Sequence, residues 1–183
     1  VGDQLAGLPT GINAWVMFVN NSALKDVGME PIASFDWDNI LTYAQEFHSK
    51  NPDGYLLGTN VGHLDHLLLL YLEQMIGTRE STDDGEIHFT AEQATAMYEY
   101  YQKMLDANVF EPMTEMLALE ADLFTNPRFA NRQFAAASNF FSAFTAIQNL
   151  DPEAEYSLVL RPGADGTAFP GERMQSSQLL CIN

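Results

Sequence analysis

The run Leu8-Pro9-Thr10-Gly11-Ile12-Asn13-Ala14-Trp15-Val16-Met17-Phe18-Val19-Asn20-Asn21 decides how the chain is read. Its centre, Ala14 to Val19, is a continuous apolar segment of strand length, and a strand of that kind has to be covered on both faces. Nothing before Leu8 has the pattern of a helix or a cap, so this strand arrives without partners already made. The expectation is a chain entered partway through a larger fold. Ser22 to Val27 then reads as a short helix that Gly28 can end.

Outward from there, strand and helix signals alternate. Asp36 offers an N-cap to a helix with apolar Trp37, Ile40, Leu41, Ala44 and Phe47 at helical spacing. Pro52-Asp53-Gly54 is a turn before a short buried strand, Tyr55 to Gly58. Asn60 to Ile76 is apolar nearly all round, which predicts a helix buried within the fold and stopped by Gly77. A polar, hairpin-like stretch carrying Asp84-Gly85 leads to Thr90, which with Gln93 forms a capping box. Behind it Ala94, Met97, Tyr98, Tyr101, Met104 and Leu105 define an apolar helix face opposite Glu92, Glu99, Gln102 and Asp106. A helix is expected over Leu117–Phe124, ended before Asn126-Pro127. Strands are expected at Phe134–Ser138, Tyr156–Leu160 and Leu179–Ile182, with a helical segment from Phe140 to Leu150. The alternation predicts an α/β lobe with a mostly parallel sheet flanked by helices.

The 183 residues, 46% of them apolar, are enough for one domain with a real core. Eight basic against twenty-five acidic residues give a net charge of −17. That field repels phosphate backbones and anionic lipid, so nucleic acid and membrane surfaces are not expected partners. The acids are scattered through turns and helix faces, as on a solvated surface. The lone Cys181 lies in the apolar run Leu179-Leu180-Cys181-Ile182 and is expected to be an inert buried thiol. No apolar stretch approaches the roughly 20 residues that span a bilayer.

Several segments, in order, resemble the type 1 extracellular solute-binding proteins of ATP-driven (ABC) importers. They are Leu8-Pro9 before a strand and an Asn-initiated helix, then Trp37-Asp38 opening a helix with Ala44 and Phe47. Asn51-Pro52-Asp53-Gly54-Tyr55, the buried helix, the Asp84-Gly85 turn and the Thr90 helix continue the order. Phe129-Ala130-Asn131-Arg132-Gln133-Phe134-Ala135-Ala136 is similar to the family's F-x-x-G-K-x-A-M strand start, and Leu158 to Pro162 leads into a Gly-containing loop. Arg132, Gln133 and Ala136 stand where the family has Gly, Lys and Met. The resemblance implies a periplasmic-binding-protein-like (type II) two-lobe fold. Residues 1–183 would be one α/β lobe, the C-terminal one, with 1–11 and 179–183 crossing the hinge and the N-terminal lobe absent.

It further implies a monomeric substrate-binding component that takes a carbohydrate between its lobes and delivers it to a membrane permease. The parent would be exported to the periplasm or the outer face of the membrane, where a lipid anchor is compatible with the family, and would need no cofactor or metal. Clefts in open α/β sheets lie outside the carboxyl ends of strands. Three places fit a sugar, which needs polar side chains for its hydroxyls and rings for its CH faces. The first is Asn13 and Trp15, on one side of their strand by alternation, with Gly11 allowing close approach; a core Trp and a turn Asn are the alternative. The second is Asn60, His63, Asp65 and His66 at the head of the buried helix, where capping by Asn60 and Asp65 is a compatible explanation. His63 and His66 also raise a metal site, but no further ligand is in sight and the spacing is not the i, i+4 pair of a helical zinc protease. The third is Asn139, Phe140, Phe141 and Ser142, where the family places a ring under the sugar, a role Phe144 could share; core packing is the alternative. Gln175, with Ser176, corresponds to a segment bordering the cleft.

Two other classes stand against sugar transport. A glycosidase-like enzyme would use paired carboxylates, but the acidic pairs lie in polar turns, and no nucleophile elbow, phosphate loop or dinucleotide fingerprint is present. Asp83-Asp84-Gly85 suggests calcium, yet the bidentate-Glu position of an EF-hand would fall on Ala91. A binding protein for another solute, such as a glycerol phosphate or a polyamine, is the second alternative.

Overall fold

The computed structural model describes residues 7–118, 126–163, 174–176 and 178–180. In chain order the elements are β1 (Leu8–Pro9), β2 (Ile12–Asn20), α1 (Asn21–Asp26), α2 (Asn39–Lys50), β3 (Tyr55–Gly58), α3 (Val61–Ile76), α4 (Ala91–Asp106), α5 (Met113–Ala118) and α6 (Pro127–Ala130). Then come β4 (Phe134–Phe140), a 3-10 turn (Phe141–Ala143), α7 (Phe144–Leu150), β5 (Tyr156–Val159), β6 (Met174–Ser176) and β7 (Leu179–Leu180). Gln4, Cys181, Ile182 and positions 119–124 of the expected Leu117 helix lie outside the described residues.

The long strand β2 is the spine of a five-stranded sheet of order β3-β4-β2-β5, with β6 against its amino end. Alternate residues serve the two faces. Met17 and Val19 join the large core formed with α2, α3 and α4, while Phe18 and Val16 join Phe129, Phe134, Ile147 and Phe144 around α6 and α7. Both faces of the apolar run are thus covered, as its composition requires.

The sheet is mixed rather than mostly parallel. β3 and β4 pair in parallel, whereas β2 is antiparallel to β4, β5 and β6. Strand-helix alternation in sequence does not fix direction. β2 enters the sheet at the edge where β3, β4 and β5 leave it, so it runs against all three. β1 and β7 pair separately as a short antiparallel ribbon, Leu8 opposite Leu180.

Local chemistry explains most boundaries. Asn20 caps α1, Asn60 caps α3, and Thr90 with Gln93 closes a full capping box on α4. Gly77 ends α3 at φ 75°, a left-handed cap that favours glycine. Asp36 meets the first donors of α2 from outside, its carboxylate accepting N–H from Asp38 (2.9 Å) and Asn39 (2.6 Å), so the helix starts at Asn39. A Cβ on Gly58 would lie 2.4 Å from Phe129 Cζ, so the end of β3 needs glycine to admit the rings of the second core cluster.

One helix lies outside the sequence expectations, and one local expectation is corrected. Asn126-Pro127, before which the Leu117 helix is expected to end, also starts a helix: Asn126 Oδ1 accepts the Arg128 N–H at 3.0 Å and Pro127 takes the first helical position, where its missing N–H costs nothing. On α4 the buried stripe is Met97, Tyr100 and Met104, with Tyr98 62% exposed and Tyr100 6% exposed. At about 100° per residue Tyr98 sits on the margin of that stripe. Tyr100 lies within it, stacks on Tyr71 at 4.3 Å between centroids and donates its hydroxyl to the Trp37 carbonyl.

Arg132 holds φ at +54°, in the left-handed region that favours glycine. Its guanidinium pairs with Asp151 (2.6 Å) and Asp26 (3.0 Å), tying the start of β4 to α1 and to the end of α7. Arg132→Ala loses both pairs and keeps the left-handed backbone, whereas Arg132→Gly loses the pairs but relieves the backbone. The alanine variant is therefore expected to be the less stable of the two by about 1 kcal/mol. Urea midpoints compare them, and an alanine midpoint equal to or above that of glycine overturns the account.

Candidate functional site

The mixed topology brings the carboxyl ends of β3, β4 and β5 and the amino end of β2 to one edge of the sheet. Trp15 stands at its centre. It pairs with Phe140 across the β2–β4 ladder, and its Nε1 donates to Ser138 Oγ at 2.7 Å. Phe140 tilts against the indole at 4.4 Å between centroids, and His63 and His66 meet it edge-on at 5.1 and 4.8 Å. The Arg161 guanidinium lies 5.5 Å from the indole ring centre. Trp15 is 2% exposed and Arg161 3% exposed, so the indole orders this cluster from beneath.

Each side chain is held by its element. Asn60 Oδ1 accepts the His63 N–H at 2.8 Å, fixing the first turn of α3, which presents His63 and His66 three residues apart on one face. Asp65, between them, is exposed. Asn13 bonds Ser142 twice, Nδ2 donating to Oγ at 2.8 Å and Oδ1 accepting the backbone N–H at 3.2 Å, which fastens the turn after β4 to the start of β2. Asn139 is buried and its Oδ1 accepts the Phe140 N–H. Phe141 is 51% exposed, while Phe144 stacks on Phe18 at 5.8 Å and belongs to the core. Gln175 pairs with Asn13 in the β2–β6 ladder.

All three places expected from sequence therefore converge on one edge. Sequence reading named Ser142 beside Phe141 but missed Arg161 and Ser138. Arg161 follows a strand at its carboxyl end, which is the rule that found Asn60, and Ser138 is the polar interruption of the alanine-rich strand.

Burial, and then the neighbouring His66, lower the His63 pKa from its ordinary 6.5, so at pH 7 this imidazole offers one donor and one acceptor. Its Nδ1 is buried with no hydrogen-bond partner among the described residues. Among the described residues no three His, Cys, Asp or Glu side chains gather as a metal site requires. Beside the cluster lies a cavity of about 650 Å³ between Ala33–Asp36 and the end of β5, with Arg161 in its wall.

No family model matches the chain, and no curated protein matches it. Solved structures do share its fold. Over all of this chain and 45% of the other, it matches a de novo designed esterase at TM-score 0.86 and 20% identity. It matches a periplasmic oligogalacturonide-binding protein of Yersinia enterocolitica, in complex with saturated digalacturonic acid, at TM-score 0.83 and 21% identity, over 100% of this chain and 46% of that one. A periplasmic solute-binding protein of Pectobacterium atrosepticum SCRI1043 gives TM-score 0.81 and 21% identity at the same coverage. The chain spans slightly less than half the length of these proteins and has the α/β fold of one lobe of a periplasmic solute-binding protein.

Proposed function

We propose that this chain is the ligand-binding lobe of a substrate-binding component of an ABC importer, and that its ligand is a carbohydrate held between this lobe and a second one. The observation that carries the reading is the cluster around Trp15: imidazoles, a carboxamide–hydroxyl pair and an exposed Phe141 ring collected where three strands end. Sugar hydroxyls would be met by His63, His66, Asp65 and Asn13, and a sugar face by Phe141, with Asn60, Asn139, Phe140 and Trp15 holding them in place. Gln175, in register with Asn13, would border the same cleft. The paired β1 and β7 would be the hinge crossings. Exposed Leu8, Ile12, Leu160 and Leu180, at or beyond the same strand ends, fit a surface that another body covers.

On this reading no covalent bond changes in the protein. Ligand contacts made by both lobes favour the closed state, and a membrane permease recognises that shape. The whole protein would act as an exported monomer. Among the described residues no helix is long and apolar enough to cross a membrane.

A thermal-shift screen of the protein with its second lobe restored, against neutral and acidic sugars with polyamines and glycerol phosphates as controls, tests the proposal. One sugar class should raise the melting temperature and be recovered unchanged. Asn13→Ala, His63→Ala, Asp65→Ala and Phe141→Ala should each weaken that binding about 5- to 30-fold while the lobe stays folded. Consumption of the sugar would favour a glycosidase-like enzyme instead. If all four substitutions lowered stability and left affinity unchanged, the edge would not be the binding surface.

A further inference from the structure

The cluster at the sheet edge is fastened from a distance. Gln74 lies on α3 eight residues after His66, about 12 Å down the helix. It is buried, and its carboxamide is used at both ends: Oε1 accepts the Trp37 indole N–H at 2.8 Å and Nε2 donates to the Pro162 carbonyl at 3.2 Å. Pro162 follows Arg161, whose Nη1 donates to the His66 carbonyl at 3.4 Å. The segment leaving β5 is thus lashed to α3 at two points, and an Asp36–Gly163 bridge joins it to the segment before α2. Proline has a fixed φ, so the direction of the Pro162 carbonyl limits where the preceding arginine can stand.

We infer that Gln74 is a positioning residue for the candidate site: through Pro162 it sets where Arg161 sits over Trp15, and so the form of the edge at which the ligand is proposed to bind. The inference deepens the binding proposal and rests on it for its meaning, but its test needs no ligand. The chain has two tryptophans, Trp15 and Trp37. Trp37→Phe removes one Gln74 bond and leaves Trp15 as the sole indole reporter.

Gln74→Met in that background removes the donor to Pro162 in an apolar side chain of similar length. Relative to Trp37→Phe alone, Trp15 emission is expected to move to longer wavelength and acrylamide quenching to increase, with far-UV circular dichroism unchanged. Leu72→Ala, an equally buried loss on the same helix, should lower the melting temperature and leave Trp15 emission in place. Should the methionine variant fail to fold, Gln74→Leu, which is also apolar and lacks the donor, gives the same readout. Unchanged Trp15 emission on loss of the donor, or an equal shift with Leu72→Ala, overturns the inference. Failure of the sugar screen would leave these spectra as they are, so the two failures are distinguishable.

Discussion

Replacing Arg128 with methionine is expected to destabilise the lobe by about 3–5 kcal/mol at pH 8, because it leaves a buried carboxylate without its counter-charge. Glu111 is 2% exposed. Arg128 Nη1 lies 2.6 Å from Glu111 Oε2 and Nη2 lies 2.7 Å from Glu115 Oε2, while Asn126 Nδ2 donates to Glu111 Oε1 at 3.0 Å. The guanidinium also stands 5.4 Å from the Tyr55 ring centre at the start of β3. Arg128 therefore joins α5, α6 and the sheet, and α6 carries Phe129, which packs on Phe134 and over Gly58.

The sign of the pH dependence follows from Glu111. Burial raises its pKa above the ordinary 4.5 even with Arg128 opposing the rise, and removing the arginine raises it further. A carboxyl whose folded pKa is raised binds its proton more tightly in the folded state. The penalty is then absent below the unfolded value and complete above the folded one. Arg128→Met should accordingly be most destabilising in alkaline buffer and recover as pH falls toward 4.5. Adding Glu111→Gln should recover part of the loss at pH 8. Urea unfolding at pH 5 and pH 8 measures both effects, and a loss under about 1 kcal/mol at pH 8 would mean that water, not Arg128, satisfies Glu111.

Some of this architecture was legible in sequence because it depends on a few adjacent residues. Asn20, Asn60, Thr90 with Gln93, and Gly77 act within one helical turn, and the sequence states them directly. The apolar run of β2 likewise announced that both its faces would be covered. What could not be read depends on distant partners. The direction of β2 is set by where the chain enters the sheet, which alternation does not encode. Asn126-Pro127 can follow one helix and begin another, and the second, α6, is held to the sheet through Arg128 and Phe129, contacts that sequence does not show. Arg161 joined the site only when β5 was placed antiparallel to β2, opposite Met17 to Asn20. The left-handed φ of Arg132 was likewise not legible, because nothing adjacent in sequence requires it; the chain holds the residue there with ion pairs to Asp26 and Asp151.

Trp15→Ala should also cost about 3–5 kcal/mol, the range for removing a large buried aromatic side chain. The expected consequences extend beyond stability, because this indole is where the fold and the candidate site meet. Phe140, His63, His66 and Arg161 all rest against it, and Ser138 accepts its N–H. Removing the ring leaves the Ser138 hydroxyl buried without that donor and takes away the surface on which both imidazoles are oriented. Trp15→Phe separates the two roles: it keeps a ring for the neighbours and loses the hydrogen bond, for an expected 1–3 kcal/mol on the order of one buried polar group left unpaired. Thermal unfolding of the two variants should therefore rank phenylalanine above alanine. In the two-lobe protein, affinity for whichever sugar the screen identifies should survive in Trp15→Phe and fall in Trp15→Ala. Should Trp15→Ala remain folded and bind that sugar as before, the indole would be core alone, and the binding surface would have to be sought among residues that do not depend on it.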